Sequence, residues 1–166
     1  MLTDLEREER IARGLNFINE NGSDDTRAFA LAIVNPDTVD EALKKLQPFQ
    51  NTDGGWRGMD SDMKGPISTI SCTWVAMQRL SWLEQKDAEC LMRTVDFIKK
   101  VQNENGSWDE SEEILKYDPP PWYVPGVYEN QIWLTSAICC QLMEINKTSE
   151  VNFKAAIEFL RGGMER

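Results

Sequence analysis

Gln102-Asn-Glu-Asn-Gly-Ser-Trp108 closes a segment of helical periodicity and opens a turn. Gln50-Asn-Thr-Asp-Gly-Gly-Trp56 carries the same Gln, Gly and Trp at the same offsets. Asn19-Glu-Asn-Gly-Ser23 copies Asn103 to Ser107 residue for residue, with Asp24 where Trp108 would stand. Asn and Gly break a helix, and Gly admits the positive φ of a sharp turn. A Trp just after the turn folds back over the helix end, and the Gln amide bonds exposed backbone there or stacks on the indole. Gln50, Gly54, Trp56, Gln102, Gly106 and Trp108 therefore read as packing clips between repeated units.

Working outward from the clips, the helical segments alternate in character. Residues 3–19 show a narrow apolar stripe of Ile11, Leu15 and Ile18. Residues 26–34 hold seven consecutive apolar residues, Ala28 to Val34, behind Asp24-Asp25-Thr26, and Pro36 ends them. Residues 37–50 return to a stripe of Val39, Leu43 and Leu46, with Pro48 in the last turn. Residues 68–83 are apolar on most sides, and residues 87–102 carry a stripe of Leu91, Val95 and Ile98. Residues 103–128 form a long loop with Pro119, Pro120, Pro121 and Pro125 among Tyr117, Trp122, Tyr123 and Tyr128, which predicts an ordered, packed connection. Residues 129–145 are apolar again and residues 150–163 are striped. A helix apolar all round is expected to be buried, while a striped one faces water on one side. Strict alternation predicts an all-α fold with inner and outer helix layers, an α/α toroid, and no strand.

The composition excludes several classes. A net charge of −10 disfavours nucleic acid and gives no general attraction to anionic membranes. No apolar run approaches the roughly 20 residues that span a bilayer, and the charged first 20 residues lack a signal-peptide core. The four cysteines, Cys72, Cys90, Cys139 and Cys140, have no metal-knuckle spacing and read as free thiols of a cytoplasmic protein. His is absent, which removes Ser-His-Asp and Cys-His nucleophile systems and any His-containing zinc site. No metal and no cofactor are expected.

The two Gln-x-x-x-Gly-x-Trp units resemble the QW repeats of squalene-hopene cyclases and other class II terpene cyclases. Related repeats occur in protein prenyltransferase β subunits, whose zinc chemistry a chain without His cannot repeat. Asp60-Ser-Asp62 after Trp56, like the Asp-x-Asp of the central cyclase region, and Asp24-Asp25-Thr26 strengthen the likeness, which covers residues 14–166 of a single domain, 1–166. The resemblance implies six helical hairpins in a closed ring, of which about three and one extra helix are present. Ile157-Glu-Phe-Leu160 parallels Val95-Asp-Phe-Ile98, so the sequence stops mid-repeat. A piece of a longer protein is expected, or a half-ring completed by a homodimer.

Asp24-Asp25-Thr26 resembles the end of the Asp-x-Asp-Asp-Thr acid motif of those cyclases. The resemblance makes Asp24 the Brønsted acid that protonates an alkene or epoxide and Asp25 its neighbour; adjacent carboxylates disfavour joint ionisation. The motif's first Asp falls on Gly22, and the family's His partner is missing. The plainer role for both carboxylates is to cap the following helix. Asp60 and Asp62 suit either Mg²⁺-diphosphate binding or a solvated acidic loop, and no basic cluster stands beside them. Phe29, Trp74 and Trp133 are the candidate lining of an isoprenoid cavity, where aromatic faces stabilise a cation. The leading expectation is a terpene-cyclase-like repeat domain, incomplete or weakly active, with an isoprenoid ligand and peripheral membrane contact. The alternative is a non-enzymatic repeat module for an apolar ligand or a protein partner, its mouth lined by Asp24 to Thr26, Ser68 to Thr73 and Asn130 to Thr135.

Overall fold

The computed structural model describes residues 3–164. Among them the protein is all-α, with α1 (Asp4–Asn21), α2 (Asp24–Val34), α3 (Val39–Leu46), α4 (Ile70–Trp82), α5 (Glu89–Lys100), α6 (Tyr128–Glu144) and α7 (Phe153–Met164). Short 3₁₀ turns fill the connections. Extended pairing among the described residues is limited to two isolated bridges, Gln50 with Trp56 and Trp56 with Thr69. The chain forms two compact units, 1–48 and 49–166, where the sequence pattern reads as one domain.

In the first unit, α1 starts on a capping box. Thr3 Oγ1 accepts from the Glu6 amide at 3.3 Å, and Glu6 Oε2 accepts from the Thr3 amide at 2.8 Å. The helix buries no residue fully, and Ile11 of its stripe is 44% exposed. α2 begins two residues before the expected segment 26–34, because Ser23 takes the N-cap and places Asp24 and Asp25 in the first turn. Carboxylates there face the positive end of the helix dipole. The expectation that an all-apolar helix is buried fails for α2. It packs on α1 and α3 and leaves Leu31, Ile33 and Val34 between 43% and 47% exposed. α3 is shorter than expected, since Pro36 and Pro48 each sit in a 3₁₀ turn that replaces a helical end.

The second unit follows the expected alternation in part: α4 and α6 bury one side but leave Trp82, Trp133 and Met143 at 57%, 42% and 58% exposure. α4 buries Ile70, Cys72, Thr73, Ala76, Met77 and Leu80, and packs on α6, which buries Leu134, Thr135, Ile138, Cys139 and Leu142. α5 packs on α4 and buries Leu91, Thr94, Val95 and Ile98, with Lys99 and Lys100 at its C-terminal end, where the dipole favours cations. α7 packs on α6, and Tyr128 meets Phe159 edge-on at 5.5 Å. α4 and α6 end alike: Glu84 and Asn146 both adopt a left-handed φ, of 58° and 57°, just beyond the helix. The amide after each, at Gln85 and Lys147, donates to Leu80 and Leu142 at 2.9 Å. No helix of the described residues is long and apolar enough to cross a membrane.

Candidate functional site

The two clips share one backbone design. The Asn51 amide donates to Gly55 O at 2.8 Å, and the Asn103 amide to Ser107 O at 2.9 Å. The Gly54 and Gly106 amides donate to Asn51 O and Asn103 O. Asp53 Oδ1 and Asn105 Oδ1 each accept from the amide two residues on, at 3.0 Å. Both glycines need φ near +90°, at 93° and 87°, and both press on a helix backbone. A Cβ on Gly54 would lie 2.3 Å from Arg93 O, and one on Gly106 would lie 2.3 Å from the carbonyl carbon of Ala155. Only glycine fits such a site.

The side chains then tie each turn to the helices around it. Gln50 Nε2 donates to Gly54 O and reaches Cys90 O at 2.8 Å, at the start of α5. Gln102 Nε2 donates to Gly106 O and to Asn152 O, and its Oε1 accepts from the Asn152 amide at 2.9 Å, just before α7. The Trp56 amide donates to Thr73 Oγ1 in α4, and the Trp108 amide to Thr135 Oγ1 in α6. Both indoles are buried, at 1% and 0% exposure. Each contributes on the order of 4–6 kcal/mol of apolar burial. These six residues hold packing together and leave no reactive atom facing solvent.

Above the start of α4, Glu110 is 5% exposed, and its two oxygens accept from the Ile70 and Ser71 amides at 2.7 and 2.8 Å. Burial pushes its carboxyl above the usual range, against the opposing pull of those two amides. Asp109 accepts from the Gly126 amide and from Gln131 Nε2. A cleft of about 700 Å³ opens here, lined by Glu104, Asp109, Glu110 and Glu112 among others, and it is polar and acidic. A second cleft of about 510 Å³ is lined by Gln50, Asn51, Arg57 and Ser68. Neither is lined by the candidate cavity residues.

Two of those residues, Trp74 and Trp133, meet elsewhere in the second unit. Trp74 of α4 stands edge-on to Trp133 of α6, with centroids 5.4 Å apart and planes at 78°. Tyr123 completes the group at 5.8 Å from Trp133. Trp133 is 42% exposed, Trp74 is half-buried and Tyr123 is buried. The Tyr123 hydroxyl donates to Asp60 Oδ2 in a short hydrogen bond, while Asp60 Oδ1 accepts from the Asp62 amide at 2.9 Å. Burial and the adjacent Asp60 hold the phenol un-ionised far above its ordinary range. Beneath the group the buried Cys72 thiol is pushed up by desolvation, and in α6 burial takes Cys139 up to about 11. Thiols so shifted stay protonated and poorly nucleophilic. Cys140 is exposed and Cys90 half-buried, and all four cysteines are free thiols.

Asp24, Asp25 and Phe29 belong to the first unit. The Asp24 side chain is 76% exposed and pairs with Arg27 at 3.6 Å and Lys45 at 3.9 Å. Burial falls instead on Asp25, at 8% exposure, whose Oδ1 accepts from Ser23 Oγ at 2.6 Å. Phe29 is half-buried on α2. Sequence reasoning missed Glu110 and Thr94, and it placed Thr73 and Thr135 on a ligand mouth and Tyr123 in a packed loop without their partners, Trp56, Trp108 and Asp60. Among the described residues no group of three or more Cys, Asp or Glu is placed to hold a metal ion. No protein-family model and no solved structure matches the chain.

Proposed function

We propose that this chain is a QW-repeat module of the terpene-cyclase type, an arc of an α/α toroid, that binds an isoprenoid-like apolar molecule. The observation that carries the reading is the ring group of Trp74, Tyr123 and Trp133, joined from two apolar helices and a long loop, with Trp133 open to solvent. Support for the repeat comes from two clips with the same turn, the same Gln and the same hydrogen bond from the Trp amide to a Thr hydroxyl. α4 and α6 would then be inner helices and α5 and α7 outer ones.

The reading is one of binding and not of acid-started cyclisation. A Brønsted acid for an alkene needs a protonated carboxyl in a dry pocket. Asp24 lies in no dry pocket: its side chain is three-quarters exposed and ion-paired with Arg27 and Lys45. Squalene and shorter polyprenols, incubated with the protein and with Asp24→Asn, separate the two roles. Quenching of tryptophan emission by ligand, weakened in Trp133→Ala and unchanged in Asp24→Asn, with no cyclic product, is the expected result. Cyclic product that disappears in Asp24→Asn would make the chain a cyclase. A chain that binds none of these ligands would sink the reading.

A further inference from the structure

Residues 111–126 join the second clip to α6 without an α-helix, through two 3₁₀ turns. The segment closes those turns itself: the Ile114, Tyr123 and Val124 amides donate to the Ser111, Pro120 and Pro121 carbonyls. One carboxylate draws its ends together. Asp109 stands just before the segment, and its Oδ2 accepts from the Gly126 amide at 2.7 Å. Glu110 is fixed on α4 by the Ile70 and Ser71 amides, so the near end cannot drift. A surface loop with joined ends is held together largely by its own contacts. Its grip on the rest of the unit is narrow, since Ile114 and Tyr123 are its two buried residues and Leu115 and Trp122 are 53% and 54% exposed. Segments with so little buried apolar surface open well before the core does.

Side chains hold the loop down. The Tyr123 hydroxyl donates to Asp60 Oδ2, and Asn130 Nδ2 at the start of α6 donates to Pro121 O and Val124 O at 3.1 and 3.0 Å. The Tyr117 ring lies against Gly65, where a Cβ would come within 2.7 Å of it. Under the loop, Tyr123 rests 5.8 Å from Trp133, which in turn meets Trp74. Cys72, in the first turn of α4, is fully buried close to Asp60 and Tyr123. Lifting the loop takes the Tyr123 ring off Trp133 and uncovers Cys72. Cys139 is buried about 9 Å further along α6 than Trp133. It therefore reports separation of the helices and not of the loop.

We infer that residues 111–126 are a lid over the Trp74 and Trp133 pair, latched by the hydrogen bond from Tyr123 to Asp60. The lid rests on the apolar-ligand reading for what passes beneath it, and it makes access to that site the controlled step. Iodoacetamide labelling of the intact chain, read thiol by thiol by peptide mass spectrometry, tests the lid without any ligand. Tyr123→Phe should speed the labelling of Cys72 about 10- to 100-fold, the range of one hydrogen bond to a charged group. Cys139 labelling and helical circular dichroism should not change. Asn130→Ala frees the Pro121 and Val124 carbonyls, should also speed Cys72, and stands in if Tyr123→Phe loses its helical signal. Farnesol should quench tryptophan emission faster in Tyr123→Phe than in wild type. Unchanged Cys72 labelling in both variants, or Cys72 and Cys139 accelerating together, overturns the lid. Faster Cys72 labelling without farnesol binding keeps the lid and sinks the apolar-ligand reading; farnesol binding with Cys72 unmoved does the reverse.

Discussion

The two clips share one backbone turn and differ in the side-chain hydrogen bonds around it, and the acceptor of the indole separates what the motif requires from what it tolerates. Trp56 Nε1 donates to Thr94 Oγ1 in α5 at 2.7 Å, whereas Trp108 Nε1 donates to Ile98 O at 2.8 Å. The helix position in α7 that corresponds to Thr94 is Ala156, which has no hydroxyl to offer. The second indole therefore takes a carbonyl at the end of the preceding helix. Both clips keep the glycine at positive φ, the Gln reach to the next helix, and the Thr that receives the Trp amide. The backbone turn and the buried ring are the fixed parts, and the acceptor of the indole is exchangeable.

The sharpest way to break this equivalence is to remove each ring. Trp56→Ala and Trp108→Ala should each cost about 3–5 kcal/mol in urea unfolding, as expected for a buried aromatic. A loss below about 1 kcal/mol at either site would show that the two clips are not energetically alike. Next come the glycines. Gly54→Ala and Gly106→Ala should lose at least the roughly 1–3 kcal/mol of a strained left-handed residue, and more because each new Cβ meets helix backbone. Equal stability of wild type and either variant would refute the close approach.

Thr94→Val tests the difference itself. It leaves a buried indole N–H without its acceptor and should cost about 1–3 kcal/mol. By NMR the Trp56 indole N–H should shift and the Trp108 indole should not; movement of both would mean that the clips are coupled through α5. The smallest effect concerns the acid beside the second clip. Burial lifts the folded-state pKa of Glu110 above its ordinary 4.5, so folding favours its protonated form. Its contribution to stability is fully present below that ordinary value and is lost as pH rises through the raised one. The stability of wild type relative to Glu110→Gln should therefore fall with rising pH across that window. A difference that stays flat, or that grows with pH, would contradict the shift.

The turns were legible because their signal is local. Gly54, Gly106 and the spacing of Gln to Trp announce a turn whatever lies around them, and the apolar α4 and α6 between the striped α5 and α7 needed only periodicity. The long-range partners carry no such signal. Thr73 sits in the first turn of α4 and Thr94 and Thr135 in mid-helix, and only the fold shows that their hydroxyls meet an indole or a Trp amide. Tyr123 hides among prolines in a long loop, and its partner Asp60 lies 63 residues away. α2 shows the opposite failure. Its composition resembles that of α4, yet it exposes Leu31, Ile33 and Val34, because composition states what a helix could bury and not what covers it.

The Gln50 amide spans 40 residues to Cys90 and 44 to Thr94. Its partners exist only once α4 has formed and the chain has returned along α5. Closing such a loop costs entropy before the hydrogen bond can offset it, so the clip belongs to the late side of the folding barrier and to the slow side of unfolding. Amides held by the Asn51-to-Gly55 turn should then exchange with solvent only when the whole helical pair opens, which makes this short surface-connected turn a reporter of cooperative unfolding and not of local fraying.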